Sequence, residues 1–361
     1  MSLRIAPLTP AHEPAYEQLL QENEHSLLYM SLEYRSFLRR ILESSEDHYL
    51  LAFEGDRLRG ALPSFVTRHP SYGPVLNALP FYGSNGGIVV SPEAENPDGV
   101  RRALLEAFET LALQESVKVS TLISNPLAAD HPFFEAHGGH TLRDERIGQI
   151  TPLPDRREDP AAMDAALMER FHYKTRNSIR KAMKSGLTVS HSGAAEAMAT
   201  LARLHQENMR AIGGAAKSLE VFEAIREVFT YDRDYRVYLA EADGKVVSAL
   251  LVFFHHRTAE YYTPATLESY RSWQPMSLLI FEGMKEAVRR GCRHWNWGGT
   301  WLSQGGVYQF KSRWGTRDYP YFYYVREYEA PSPLRRLAPS EILAAYPYYY
   351  VLPFSALEGS V

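Results

Sequence analysis

The 361-residue sequence predicts an α/β protein, α+β in detail, made of two copies of one module in tandem. Three observations predict it. The segment YLLAFEGDRLRGALPSF at residues 49–65 returns as VYLAEADGKVVSALLVF at 237–253, a strand, a glycine turn and a returning strand each time. Both halves then run strand, amphipathic helix, strand and glycine-bounded short helix. Between them lies TPLPDRREDP at 151–160, a proline-rich, charged stretch that reads as a linker and divides the chain into 1–153 and 154–361. Each module is expected to be a mixed, mainly antiparallel sheet flanked by helices.

The first half opens with helices at 15–21 and 31–42, the second with Leu32, Phe37, Leu38, Ile41 and Leu42 at helical spacing. Strands at 48–53 and 58–66 flank the Glu54-Gly55-Asp56 turn. A glycine-rich loop holds Tyr82, Gly83, Gly86 and Gly87 and leads into a short strand at 88–90. A helix at 100–114 carries Leu104, Leu105, Phe108 and Leu111 on one side. Residues 118–123 alternate as a strand, and a short helix at 131–137 closes on Gly138-Gly139.

The second half begins with a helix at 174–184 that stops at Gly186. Helices at 196–210 and 219–229 are joined by a short link containing Gly213-Gly214 and Lys217. Strands at 235–241, 246–254 and 259–263 follow, then a helix at 276–290 whose Leu279, Ile280, Met284, Ala287 and Val288 face a core. A strand at 293–297 is cut by Gly298-Gly299. Gly305-Gly306 read as a flexible loop before a short helix that runs from Val307 to Trp314-Gly315.

Apolar residues make up 45% of the chain, enough for sizeable cores. A net charge of −4 excludes a wholly basic nucleic-acid coat but not a local basic patch. The single cysteine, Cys292, excludes a disulfide framework and fits a reducing compartment. The N-terminal MSLRIAPLTPAHEP has no signal-peptide core. No apolar run approaches the roughly 20 residues that span a bilayer, so no stable membrane insertion is expected. The expected location is cytoplasmic, or peripheral at the inner face of the membrane. His131, His137 and His140 fit no zinc spacing, and no metal site is expected.

One helix and one loop carry most of the chemistry. Lys174, Arg176, Arg180, Lys181 and Lys184 occur with no acid between them. Arg176, Arg180 and Lys184 would stack on one helix face, with Ile179, Ala182, Met183 and Leu187 on the other. Such a one-sign stripe suits phosphates; a solvated helix face has the same pattern. Residues 295–316 crowd aromatics and cations around Trp297, Gly298, Gly299, Phe310, Lys311 and Arg313. Glu260 and Asn296 are weak candidates for a base, each at home as a structural residue. The aromatic tail YPYYYVLPF at 346–354 packs across the modules or faces a membrane-bound substrate.

The order of elements, and NPLAADHPFFEAHGG at 125–139, resemble the N-acetyltransferase (GNAT) fold. A tandem pair resembles the FemAB/FemX family of aminoacyl-tRNA-dependent peptidyltransferases. KTRNSIRKAMKSGL at 174–187 is similar to that family's RN-x-I-x-K-A-x-K-S-G segment. Residues 270–291 resemble its R-x-x-x-P…L helix, and Phe310-Lys311 with Trp314-Gly315 its F-K-x-x-F/W-G ending. The short Gly213-Gly214 link resembles the type without a coiled-coil arm.

The resemblance implies transfer of an aminoacyl group from aminoacyl-tRNA to an amine of a peptidoglycan precursor, either a UDP-MurNAc-peptide or a lipid-linked form. No further cofactor is required. It implies that Lys311 stabilises developing negative charge or grips the acceptor-end phosphate, and that Phe310 stacks on a base or walls the acyl pocket. Lys174, Arg176, Asn177, Arg180, Lys181, Lys184, Arg271, Trp297, Gly298, Gly299 and Arg313 then bind substrate. Tyr82, Gly83, Gly86 and Gly87 do so from the first module. Two other readings keep the fold. One is an acyl-CoA-dependent N-acyltransferase acting on a small amine or sugar, although the helix after Arg271 lacks the glycine loop that holds a CoA pyrophosphate. The other is a non-catalytic binding protein.

Overall fold

The computed structural model describes residues 3–81 and 85–358. Tyr82 and Gly83 lie outside the described residues. Contacts divide the chain into two units, Met1–Arg146 with Pro320–Val361, and Ile147–Tyr319. The expected boundary at 153/154 is therefore displaced, and the last 42 residues, 320–361, belong with the first unit rather than the second.

The first unit runs β1 (Leu3–Pro7), α1 (Glu13–Glu22), α2 (Leu32–Ile41), β2 (Ser45–Glu54), β3 (Arg57–His69), β4 (Gly73–Ala78), β5 (Val89–Val90), α3 (Pro97–Gln114), β6 (Val119–Ile123) and α4 (His131–His137). Ser31 starts α2 by accepting the Tyr34 N–H on its hydroxyl. Gly55, at φ +61°, turns β2 into β3. The sheet order is β1-β2-β3-β4-β6, antiparallel except for β4 and β6, which pair in parallel from Val75 with Val119 to Ala78 with Leu122. Residues 320–327 complete it on β6, with Tyr323 opposite Ile123. Their Phe322 and Tyr324 join Leu104, Phe108 and Phe134 in the core.

Strand β7 (Leu142–Pro152) leads into the second unit, which runs α5 (Pro160–Arg170), α6 (Tyr173–Met183), β8 (Thr188–Ser192), α7 (Ala195–Ala211), α8 (Leu219–Val228), β9 (Tyr235–Ala242), β10 (Lys245–His255), β11 (Thr258–Thr266), α9 (Pro275–Arg289), β12 (His294–Trp301) and α10 (Gly305–Ser312). Strand β13 (Arg317–Glu327) then returns to the first unit. Here the order is β7-β12-β11-β10-β9-β8, and β11 and β12 are the parallel pair. Helix α9 lies so close to Trp295 that a Cβ at Gly283 would stand 2.9 Å from the indole. The duplicated order hairpin, strand, helix, parallel strand is thus present in both units.

Several elements differ from the sequence reading. The stretch through Pro152 is the end of a strand, and the linker is confined to 153–159, where the Asp159 carboxylate caps α5. Gly305-Gly306 are the first turn of α10, not a loop. Met183 is exposed rather than on the core face of α6. The aromatic tail packs within the first unit: the Tyr346 hydroxyl donates to the Gly73 carbonyl at 3.0 Å, and the Thr121 hydroxyl to that of Tyr350 at 2.9 Å.

Gly86 and Gly87 are buried where β4 and β6 end. A Cβ on Gly86 would fall 1.9 Å from the Ala78 carbonyl oxygen; one on Gly87 would fall 3.4 Å from that of Ile123. Gly87 also has φ +89°. Gly86 is required for packing and Gly87 for its backbone conformation, which supplies a physical reason for these two glycines that needs no ligand. The Gly86→Ala variant is therefore expected to lose about 1–3 kcal/mol of stability through overpacking, read as a lowered urea midpoint of the first unit.

Candidate active site

The parallel pair of the second unit is short. β11 and β12 are in register from Thr258 with His294 to Glu260 with Asn296, and beyond that the strands part. A bulge helps: Val252 and Leu251 on β10 face Tyr261 and Thr263, so Tyr262 is an extra residue on β11. Glu260 and Asn296 sit buried at the fork. The Asn296 side-chain oxygen accepts the Gly298 N–H at 2.9 Å, which makes it a turn support. Gly298 has φ +70° and open space where a Cβ would be.

Lys311 crosses to the β12 side of the fork from α10. It is 6% exposed. Its Nζ donates to the Thr300 hydroxyl at 2.9 Å and to the Gly299 and Gly298 carbonyls at 3.1 and 3.5 Å. The Thr300 hydroxyl in turn donates to Gln149 Oε1 on β7 at 2.9 Å. No carboxylate pairs with Lys311 among the described residues, and burial lowers its pKa to about 8. The three N–H groups thus face the glycine turn, and the ammonium straps α10 to β12.

Trp297 is buried, its indole N–H on the Thr151 hydroxyl at 2.9 Å, its ring against Tyr261 and Trp314. It is a wall of the fork and not a surface contact. Phe310 stands edge-on to Trp297 at 6.0 Å and is 39% exposed. Phe310 lines a cavity of about 320 Å³ with Pro264, Thr266, Arg271, Gln274 and Asn208. The cavity opens at the start of α9. There Gln274 takes the left-handed conformation at φ +63°, Pro275 has no N–H, and the Ser277 N–H is spent on the Gln274 carbonyl. The amide cradle expected of a CoA-binding helix start is correspondingly poor.

A second cavity, about 390 Å³, lies on the other side of α10 and is lined by His172, Tyr173, Lys174, Gln309, Ser312 and Arg313. The Arg313 carbonyl accepts from the His172 N–H at 2.9 Å and the Thr175 hydroxyl at 3.1 Å, which fixes α6 against α10. The structure thus gathers Lys174 and Arg313. Asn177, Arg180, Lys181 and Lys184 remain on the exposed face of α6. Arg176 does not belong with them: its guanidinium turns back to the Phe171 carbonyl. Sequence reasoning missed Gln274, Asn208 and Thr266, whose signals are a left-handed turn and strand-end hydrogen bonds visible only in three dimensions.

Residues 169–312 match the acetyltransferase (GNAT) domain family. With the repeated sheet and the open fork, this defines the class: an acyltransferase built of two tandem GNAT-fold units. Among solved structures the chain is similar to FemX, with 16% identity, 88% of this chain and 96% of that chain covered, and a TM-score of 0.71. It is also similar to a tandem GNAT protein from the clavulanic acid biosynthesis pathway, at 15% identity, 90% and 98% coverage and a TM-score of 0.56. A third likeness is the C-terminal domain of a putative lysylphosphatidylglycerol synthetase from Agrobacterium fabrum, at 12% identity, 92% and 96% coverage and a TM-score of 0.56. At these identities the likenesses show the fold. No curated protein matches the sequence. No helix among the described residues is long and apolar enough to cross a membrane.

The buried lysine has a pH signature. The pKa of Lys311 falls from an ordinary 10.5 in the unfolded chain to about 8 in the folded one. The unfolded state therefore binds more protons across that window, so stability is lost as pH falls through about 8 and regained as it rises towards 10.5. Urea unfolding of wild type against Lys311→Met should show the difference moving in favour of wild type between those limits. A pH-independent difference would mean that the ammonium is not desolvated.

Proposed function

We propose that the chain is a FemX-like aminoacyltransferase, moving an aminoacyl group from aminoacyl-tRNA to an amine of a peptidoglycan precursor. The observation that carries this reading is the pairing of an open fork with a phosphate-ready flank. Phe310 stands at the mouth of the fork, and Lys174 and Arg313 share a cavity one helix turn away. The sequence from Phe171 through Ala195 contains no acid, and the exposed cations Arg180, Lys181 and Lys184 of α6 follow Lys174 along that helix and its C-terminal cap. Phosphates of a tRNA acceptor end are the anions such a strip suits. The likeness to FemX supports the same assignment.

In the transfer, the neutral amine forms a C–N bond at the ester carbonyl, and the C–O bond to the ribose breaks. The amine proton passes to the departing hydroxyl. The ester is already activated, so holding the two groups together supplies much of the rate. Phe310 walls the acyl group. Lys311 contributes a desolvated positive charge behind the glycine turn, where it stabilises negative charge developing in the fork. Lys174 and Arg313 hold donor phosphates.

The acyl-CoA reading rests on the cavity at the start of α9, where Arg271 is exposed. It ranks second because two of the amides in that turn are absent or spent.

Thermal shift with tRNA, UDP-MurNAc-pentapeptide, CoA and acetyl-CoA in parallel separates the readings. Stabilisation by tRNA and the nucleotide precursor, with a mass-detected product on the precursor amine, is expected. Stabilisation by acetyl-CoA alone overturns the ranking. The Phe310→Ala variant should lower kcat/KM by about tenfold or more, since a cavity wall is lost. Neutralising Arg180 and Lys181 together to Gln should weaken tRNA binding and flatten its log–log salt dependence by about 0.7–0.9 per lost phosphate contact. An unchanged salt slope removes α6 from the donor site.

A further inference from the structure

Lys217 lies in the short connection between α7 and α8, away from the cations of α6 and α10. Its Nζ donates to the Thr263 hydroxyl at 3.2 Å and stands 5.0 Å from the centre of the Tyr262 ring. Its backbone N–H donates to His205 Nε2 at 3.2 Å, which fixes that connection on α7. Accepting this bond keeps His205 neutral, and burial lowers its pKa to about 4. Among the described residues no carboxylate pairs with Lys217, and burial lowers its pKa to about 8. An ammonium has three N–H groups. Thr263 takes one, and the ring face of Tyr262 offers only a weak attraction to the remainder.

The position is functional ground. Thr263 immediately precedes Pro264–Thr266, the part of β11 that floors the Phe310 cavity. Yet Lys217 approaches from the α8 side of the sheet. Tyr262 beside it packs on Phe253, which packs on Phe229 at the end of α8, whereas Tyr261 packs on Trp297. The phosphate-ready groups Lys174, Arg313 and Arg271 all belong to α6, α10 and the approach to α9. Lys217 is therefore placed to meet a different ligand from theirs. One cation beside one hydroxyl, with a neutral histidine behind, matches the single charge and two oxygens of a carboxylate. A phosphate dianion would need a further cation that this corner does not supply.

We propose that Lys217 and Thr263 recognise a carboxylate carried by the acyl-accepting amine, so that the acceptor is an amino acid or peptide with a free carboxylate near its reacting amine. This rests on the acyl-transfer reading of the same fork. Binding to the full chain tests it without any donor, so its outcome is independent of the donor assays. The probes are Nα-acetyl-L-lysine and Nα-acetyl-L-lysinamide, identical but for the carboxylate, titrated by calorimetry. Wild type is expected to bind the acid about tenfold or more tightly than the amide, as loss of a charge-assisted hydrogen bond requires. Lys217→Met and Thr263→Val should erase or reduce that preference, and Lys217→Arg should keep it. Thermal unfolding of Lys217→Met at or above the wild-type midpoint is expected, because a partly desolvated charge with no carboxylate partner is removed. Equal affinities in wild type, no binding of either probe, or a preference that survives in Lys217→Met would overturn the proposal.

Discussion

The second unit depends on two parallel strands that stop pairing. Past Glu260 and Asn296, β11 and β12 diverge, and Trp297, Gly298, Gly299 and Lys311 lie on or beside the resulting gap. Divergence leaves backbone amides and carbonyls without strand partners, which a buried site does not tolerate unless something else satisfies them. Lys311 does so on the β12 side, taking the Gly298 and Gly299 carbonyls and the Thr300 hydroxyl. On the β11 side the Thr266 backbone is taken up by Asn208, whose amide accepts its N–H and donates to its carbonyl. The desolvation cost of an unpaired ammonium is thus linked to keeping the gap open.

The first unit has the same strand order. At the corresponding place, where β4 and β6 end, Gly86 and Gly87 bring their own backbone against Ala78 and Ile123. Closure takes two residues without side chains; opening takes a bulge, a positive-φ glycine and a lysine strap. The aromatic set Tyr261, Trp297, Phe310 and Trp314 then replaces strand pairing as the packing that holds the open arrangement.

Much of this was legible in the sequence because it is local. The duplicated hairpins, the short helix at His131–His137, the α7–α8 pair and the helix at Tyr173–Met183 are fixed by periodicity, turns and caps, and each appears where its residues imply. Phe310 and Lys311 stand out in sequence because they are adjacent. What escaped is non-local. Lys217 meets Thr263 across 46 residues and His205 across 12, and nothing in the spacing announces either contact. Arg176 reads as part of a cationic face by helical geometry, but its guanidinium finds a carbonyl on the turn before its own helix. Gln274 takes a backbone conformation usually left to glycine, so no glycine marks that turn in the sequence. The last strand was assigned to the wrong unit because sequence order suggested a neighbour that pairing does not supply.

That return of residues 320–361 to the first unit bears on biosynthesis. Residues 147–319 are contiguous, so every segment of that unit has been synthesised once Tyr319 has left the ribosome. The first unit, although synthesised earlier, must wait. Until Pro320 and its successors emerge, the five residues of β6, all buried in the finished protein, present an open strand edge. The unit that carries the open fork therefore has its full complement of residues before the unit that precedes it in the chain.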